Sequence, residues 1–207
     1  MRRRKPMRHR TLPLIVIAAA LTTGCHPAMT TQTPKIQPPP ETLAVPLRFA
    51  SHNFEAYCYN AISCHVVYDN FDFTGSGSER DPDDAVSGPP PPGDYKAHWS
   101  ASYLGIENFP APAEVRWKSP DGVQHEAKVD MAAIFKDRLV WHKVPKADMA
   151  DFFRGPVAGE PGIILEVNDR TINVYMKMFI PTRTEQVPGN KYSDFRNDLF
   201  LVWTRTY

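Results

Sequence analysis

Covalent chemistry in this chain falls to three cysteines, Cys25, Cys58 and Cys64. Cys25 follows Leu21-Thr-Thr-Gly24, a run ending in small residues of the kind found beside a leader cleavage point. Cys58 and Cys64 flank Tyr59-Asn-Ala-Ile-Ser63. Two thiols in an oxidising compartment pair, here across a hairpin expected to turn at Asn60-Ala61. Closing that short loop would stabilise the fold by roughly 2–2.5 kcal/mol. Two free buried thiols, or a metal site shared with His65, are the open alternatives. The metal spacing is not a zinc pattern and no second ligand pair follows. The histidines of the body, His52, His65, His98, His125 and His142, are isolated from one another. Gly75-Ser-Gly-Ser78 lacks the Gly-x-Ser-x-Gly of a nucleophile elbow. A phosphate loop, His-Glu-x-x-His and a dinucleotide fingerprint are missing too. The sequence therefore reads as a non-enzyme, with no catalytic residue, metal or cofactor assigned.

A second chemistry-bearing stretch runs from Phe71 to Asp94. It is rich in Gly, Ser and Pro and holds Asp72, Glu79, Asp81, Asp83, Asp84 and Asp94 against Arg80 alone. A loop this long inside a compact domain is functional or disordered. Glu79, Asp81, Asp83 and Asp84 could form an acidic arm that meets a basic protein surface and speeds encounter. The bland alternative is a solvated insertion. Calcium fits poorly, because Asp81-Pro-Asp-Asp84 lacks the spacing and the glycine of an EF-hand loop.

The start of the chain decides where such an arm would work. Met1-Arg-Arg-Arg-Lys5 leads into Leu12-Pro-Leu-Ile-Val-Ile-Ala-Ala-Ala-Leu21, an apolar run too short to span a bilayer. A basic head, an apolar stretch and Gly24-Cys25 resemble the signal peptide of bacterial lipoproteins, with Leu21 one place earlier than the usual leucine. The resemblance implies cleavage before Cys25 and acylation of its thiol and amine. His26, where aspartate commonly retains lipoproteins at the inner membrane, implies the outer membrane, facing the periplasm. Residues 1–24 hold six of the 24 Lys and Arg residues and none of the acids, so the formal charge of +1 falls to −5 in the remainder. That balance argues against nucleic acid as a partner, since phosphate binding needs clustered cations. It leaves the membrane contact to the lipid anchor.

Residues 25–42 carry Pro27, Pro34, Pro38, Pro39 and Pro40 and read as an extended tether. Residues 43–207 make one domain, expected to be mainly β. The expected form is an antiparallel sheet or β-sandwich with two short helices, α+β being possible. One hairpin is signalled by Leu165 and Val167, a turn at Asn168-Asp-Arg-Thr171, and the alternating Ile172, Val174 and Met176. A second is Ala113–Trp117, the turn Ser119-Pro-Asp-Gly122, and Val123–Val129. Glu55–Tyr68 and Tyr95–Tyr103 supply further strands, and Asp198–Tyr207 a central or closing one. Asp130 should cap a helix over Met131–Arg138 with Met131, Ile134 and Phe135 inward. Met149, Phe152 and Phe153 predict a second helix over Lys146–Phe153.

With these elements placed, the domain resembles the lipoproteins that confer immunity against type VI secretion effectors, in particular phospholipases. The resemblance rests on Tyr59-Asn60 leading to Val67 and on Val115-Arg-Trp117 leading to Asp121-Gly122. It also rests on the helix after Val129-Asp130 and on the hairpin from Pro161-Gly-Ile-Ile-Leu165 to Tyr175. It implies stoichiometric binding of a toxic effector protein and carries no catalytic residues. Trp99, Tyr103, Trp117, Trp141 and Trp203 are interface anchors by residue type, and core residues otherwise. The alternative is a structural or assembly lipoprotein of the envelope.

Overall fold

Period-two alternation sets the strands. The computed structural model describes residues 32–37, 46–74, 87–150 and 159–207. In β2 (Ser51–Tyr59), His52, Phe54 and Ala56 are buried while Ser51, Asn53, Glu55 and Tyr57 are only partly covered. In β6 (Ala113–Lys118), Ala113, Val115 and Trp117 are buried and Glu114 and Arg116 exposed. Such strands bury one face and wet the other.

The remaining strands are β1 (Lys35–Ile36), β3 (Ser63–Tyr68), β4 (Phe71–Asp72), β5 (Tyr103–Glu107), β7 (Gln124–Val129), β8 (Gly162–Asn168), β9 (Thr171–Lys177), β10 (Ile180–Pro181), β11 (Phe195–Arg196) and β12 (Leu199–Thr206). One sheet has the order β1-β12-β9-β8-β2-β5, and a second the order β4-β3-β6-β7. β10 and β11 form a small ribbon. Neighbours are antiparallel except β2 and β8, which run parallel. One apolar cluster joins Phe54, Leu165 and Val174 of the first sheet to Val66, Val115 and Trp117 of the second. The rings of Phe54 and Tyr68 meet across it at 4.5 Å. The protein is thus mainly β, a sandwich with very little helix.

Both expected hairpins form. β8 and β9 turn at Asp169-Arg170, with Asp169 at φ 53°. β6 and β7 turn at Ser119–Gly122, where Gly122 sits at φ 83° and its N–H donates to the Ser119 carbonyl at 2.9 Å. The C-terminal strand β12 lies one place from the edge.

Five expectations need correction. Cys58 and Cys64 are bonded, but not across a hairpin. β3 pairs with β6 and β4 of the other sheet rather than with β2. The chain instead swings at Asn60, φ 47°, into the second sheet, and the disulfide fastens the two layers together. Residues 95–103 do not start as strand. Tyr95–His98 is one turn of 3-10 helix, because Tyr95 and Trp99 turn to the same side and their rings meet at 5.6 Å. Asp130 does cap a helix, accepting from the Ala133 N–H at 3.0 Å. That helix, α1 (Met131–Ile134), stops early, with Arg138 at φ 52°, although Met131, Ile134 and Phe135 are buried as expected. Residues 146–150 form turns rather than helix, and Met149 instead bridges Thr182. Residues 151–153 lie outside the described residues. Within the segment expected to be tether, β1 docks on β12, Lys35 opposite Thr204 and Ile36 opposite Trp203.

Candidate functional site

Among the described residues, three groups of polar side chains could do chemistry, and each is built by strand register. The first centres on Glu166, which β8 sets on the outer face of the larger sheet between the buried Ile164 and the neighbouring Asn168. Register places Asn173 opposite it, and Tyr175 lies two residues further along β9. The 3-10 turn then folds over this face and brings Tyr95 and Lys96. Glu166 Oε1 accepts from the Tyr95 hydroxyl at 2.7 Å. Its Oε2 accepts from Tyr175 at 2.9 Å, Asn173 at 3.0 Å and Lys96 Nζ at 3.1 Å. The carboxylate is fully buried. Burial alone would push its pKa up, but the donors Tyr95, Asn173 and Tyr175, with Lys96, outweigh it and hold the pKa below the usual range. Burial and the adjacent carboxylate push both tyrosines up. The Lys96 ammonium also lies over the Tyr175 ring, 4.6 Å from its centroid.

Four donors hold this buried acid, one on Oε1 and three on Oε2. Its work is to clamp the 95–99 turn to the sheet. Around it Tyr57, Tyr59 and Trp99 stack, with Tyr57 and Trp99 4.8 Å apart. The clamp shapes a neighbouring cleft of about 250 Å³ lined by Asn53, Trp99, Gly162, Lys177, Phe179 and Asn197 among others. A Cβ on Gly162 would come within 3.2 Å of the Ala101 Cβ, so glycine lets this wall close in. Lys177 Nζ donates to the Trp99 carbonyl at 2.9 Å, and its burial lowers its pKa.

The second group is His52, wholly buried on the inner face of β2. Its Nδ1 is 2.7 Å from Asn108 Oδ1, while Asn108 Nδ2 donates to the Phe49 carbonyl. Nδ1 is therefore the N–H, and Nε2 accepts from the Tyr68 hydroxyl at 3.0 Å. Desolvation keeps this imidazole neutral by lowering its pKa. The third group holds Ser119, Asp121 and His125. His125 Nε2 is 2.9 Å from the Ser119 hydroxyl. In a hydrolytic triad the acid holds the far nitrogen of the histidine. Here Asp121 meets the serine itself, and Ser119 is fully buried. The cluster staples the β6–β7 turn.

No family model, curated protein or solved structure matches this chain.

The residues singled out from sequence fare differently. Cys58 and Cys64 spend their sulfurs on each other, and His65 sits 3.4 Å from Asp72 rather than beside them. Cys25, Glu79, Asp81, Asp83 and Asp84 lie outside the described residues. Trp99, Trp117, Trp141 and Trp203 are buried, and Tyr103 packs partly against the core. Large apolar side chains that stay exposed are others, among them Phe71, Leu104, Phe179 and Tyr192. Phe71 packs on Tyr103 at 4.7 Å, and Phe179 stacks on Phe195 at 4.7 Å. Sequence reasoning passed over Glu166. Its one signal is an acid between Leu165 and Val167 in an otherwise apolar strand, which predicts a buried and therefore multiply bonded charge.

Proposed function

We propose that this chain is a lipid-anchored periplasmic immunity protein that binds and neutralises a toxic lipase effector. One observation carries the preference for binding over catalysis. The buried reactive groups are committed to internal bonds, Glu166 to four donors, His52 to Asn108 and Tyr68, and Ser119 to its own turn. Bulky apolar side chains meanwhile face solvent at Phe71, Leu104, Phe179 and Tyr192. Exposed apolar and aromatic groups on a rigid scaffold suit a protein partner. The Cys58–Cys64 disulfide suits an exported protein, in keeping with the lipoprotein-like leader ending at Cys25.

Such a protein works by occupancy. The anchor keeps it where an incoming lipase finds its substrate and so raises its effective concentration. The test is co-expression of the full chain with a periplasm-targeted lipase from its own gene neighbourhood. Survival, together with a 1:1 complex of nanomolar affinity by calorimetry, is the expected result. Cell death at the rate of the empty vector refutes the reading. An envelope defect on deletion with no toxin present would favour the assembly lipoprotein instead.

A further inference from the structure

The two ends of the sandwich differ in what they carry. Register puts Tyr59, Asn168, Thr171 and Thr206 level at one end, where β2 crosses into β3. Trp117 joins the layers there, its indole N–H donating to the Asp169 carbonyl at 2.8 Å. Asn53, Gly162, Lys177 and Leu199 are level at the other end, which holds the cleft. Six strand steps separate these levels, about 20 Å.

β1 enters at the crossing end. Gln32 N–H donates to the Thr206 carbonyl at 3.2 Å, and Gln37 N–H to the Val202 carbonyl at 2.8 Å. Docking therefore removes residues 32–37 from the free tether. Only residues 26–31 remain between Cys25 and the sheet. A chain of that length reaches about 25 Å at full stretch. An upside-down domain would hold Gln32 about 20 Å above the surface, which needs a nearly taut tether. Without β1, the span from Cys25 to Pro46 could reach about 70 Å at full stretch, enough for either end to face down.

The geometry points to β1 as an orienting strap: it holds the crossing end toward the bilayer and turns the Trp99–Phe179 cleft away, as the face open to a soluble effector. This deepens the immunity reading and rests on its anchor at Cys25.

The test need not assume natural acylation. With Cys58 and Cys64 bonded, Cys25 is the one thiol left in the chain from Cys25 onward. It can be coupled to a maleimide lipid in phosphatidylcholine nanodiscs that also contain a headgroup spin-labelled lipid. Amide broadening is then compared at Asn60, Gly122 and Thr171 and at Asn53, Lys177 and Asn197. The expected result is broadening several-fold stronger at the first set. Inserting about ten Gly and Ser residues before Gln32 leaves the sheet intact and should abolish the difference, as should Gln37→Pro, which removes a β1 donor. Equal broadening in the parent chain, or stronger broadening at the cleft, overturns the strap. The intact mass of the chain purified from membranes separately reports whether Cys25 carries acyl groups. Its failure would sink the anchor and not the orientation measured on the coupled chain.

Discussion

Replacing Glu166 by Gln preserves shape and removes one charge. In the parent, four donors converge on the carboxylate. A Gln offers a single acceptor oxygen and no charge, and its NH₂ group is met only if a tyrosine hydroxyl turns to accept it. Hydrogen bonds to a charged group contribute about 1.5–3 kcal/mol each. Breaking a buried ion pair from one side costs about 3–5 kcal/mol. Lys96 retains 27 % side-chain exposure and can turn its ammonium into water, which favours the lower figure. Glu166→Gln should therefore destabilise the fold by about 3 kcal/mol, read from the urea midpoint at unchanged slope. The Trp99 amide, bonded to the Lys96 carbonyl at 3.1 Å, should exchange faster in the variant. The double variant Glu166→Gln, Lys96→Met keeps an acceptor for the other donors, leaves no charge stranded and should lose less than the single one. A loss under about 1 kcal/mol for Glu166→Gln, or a double variant worse than the single, would refute the clamp.

Further outcomes follow from the same coordinates. Cys58→Ala with Cys64→Ala should cost about 2–2.5 kcal/mol in chemical denaturation, the entropy of its short loop. His52 titrates below its ordinary value of 6.5 in the fold, so its contribution is whole above that pH and lost as pH falls toward the folded value. His52 should then contribute a drop of up to about 1.4 kcal/mol per pH unit below about 6.5, and His52→Gln should make that limb shallower, the remainder coming from His125, which burial also lowers. Glu166, also lowered from 4.5, acts in a separate window that opens only below that value. Asp130→Ala removes the cap on α1 and should cost about 1 kcal/mol, measured by thermal unfolding.

The strands were legible wherever alternation ran uninterrupted. β6, β7, β8 and β9 declare themselves through Val115, Trp117, Leu165, Val174 and the turn residues between them. The capping aspartate was legible because its bond is local. What stayed hidden depends on partners far along the chain. Nothing near Cys58 says that β3 pairs with β6 of the other sheet, so the crossing to β3 looked like a hairpin. Nothing near Glu166 announces Tyr95 and Lys96, some 70 residues earlier. Lys146–Phe153 shows a helical stripe, but Met149 finds a tertiary partner in Thr182 that outweighs a short local preference. Proline-rich composition signalled a spacer, yet two residues between Pro34 and Pro38 suffice to extend the sheet.

The parallel pairing of β2 with β8 has a consequence for how the chain becomes folded. Asn53 must find Gly162 and Tyr59 must find Asn168 across more than a hundred residues. Such closure loses much chain entropy before any contact compensates it. The β6–β7 and β8–β9 hairpins can form early, since each closes through a tight turn. The larger sheet cannot, because β2 gains its neighbour β8 only after the C-terminal third of the chain has arrived. A chain cut short before Gly162 keeps β2 without that neighbour and leaves open strand edges of the kind that aggregate. Maturation of this protein is therefore all-or-none along its length, and truncation from the C-terminus should be cleared by proteolysis rather than yield a smaller working domain.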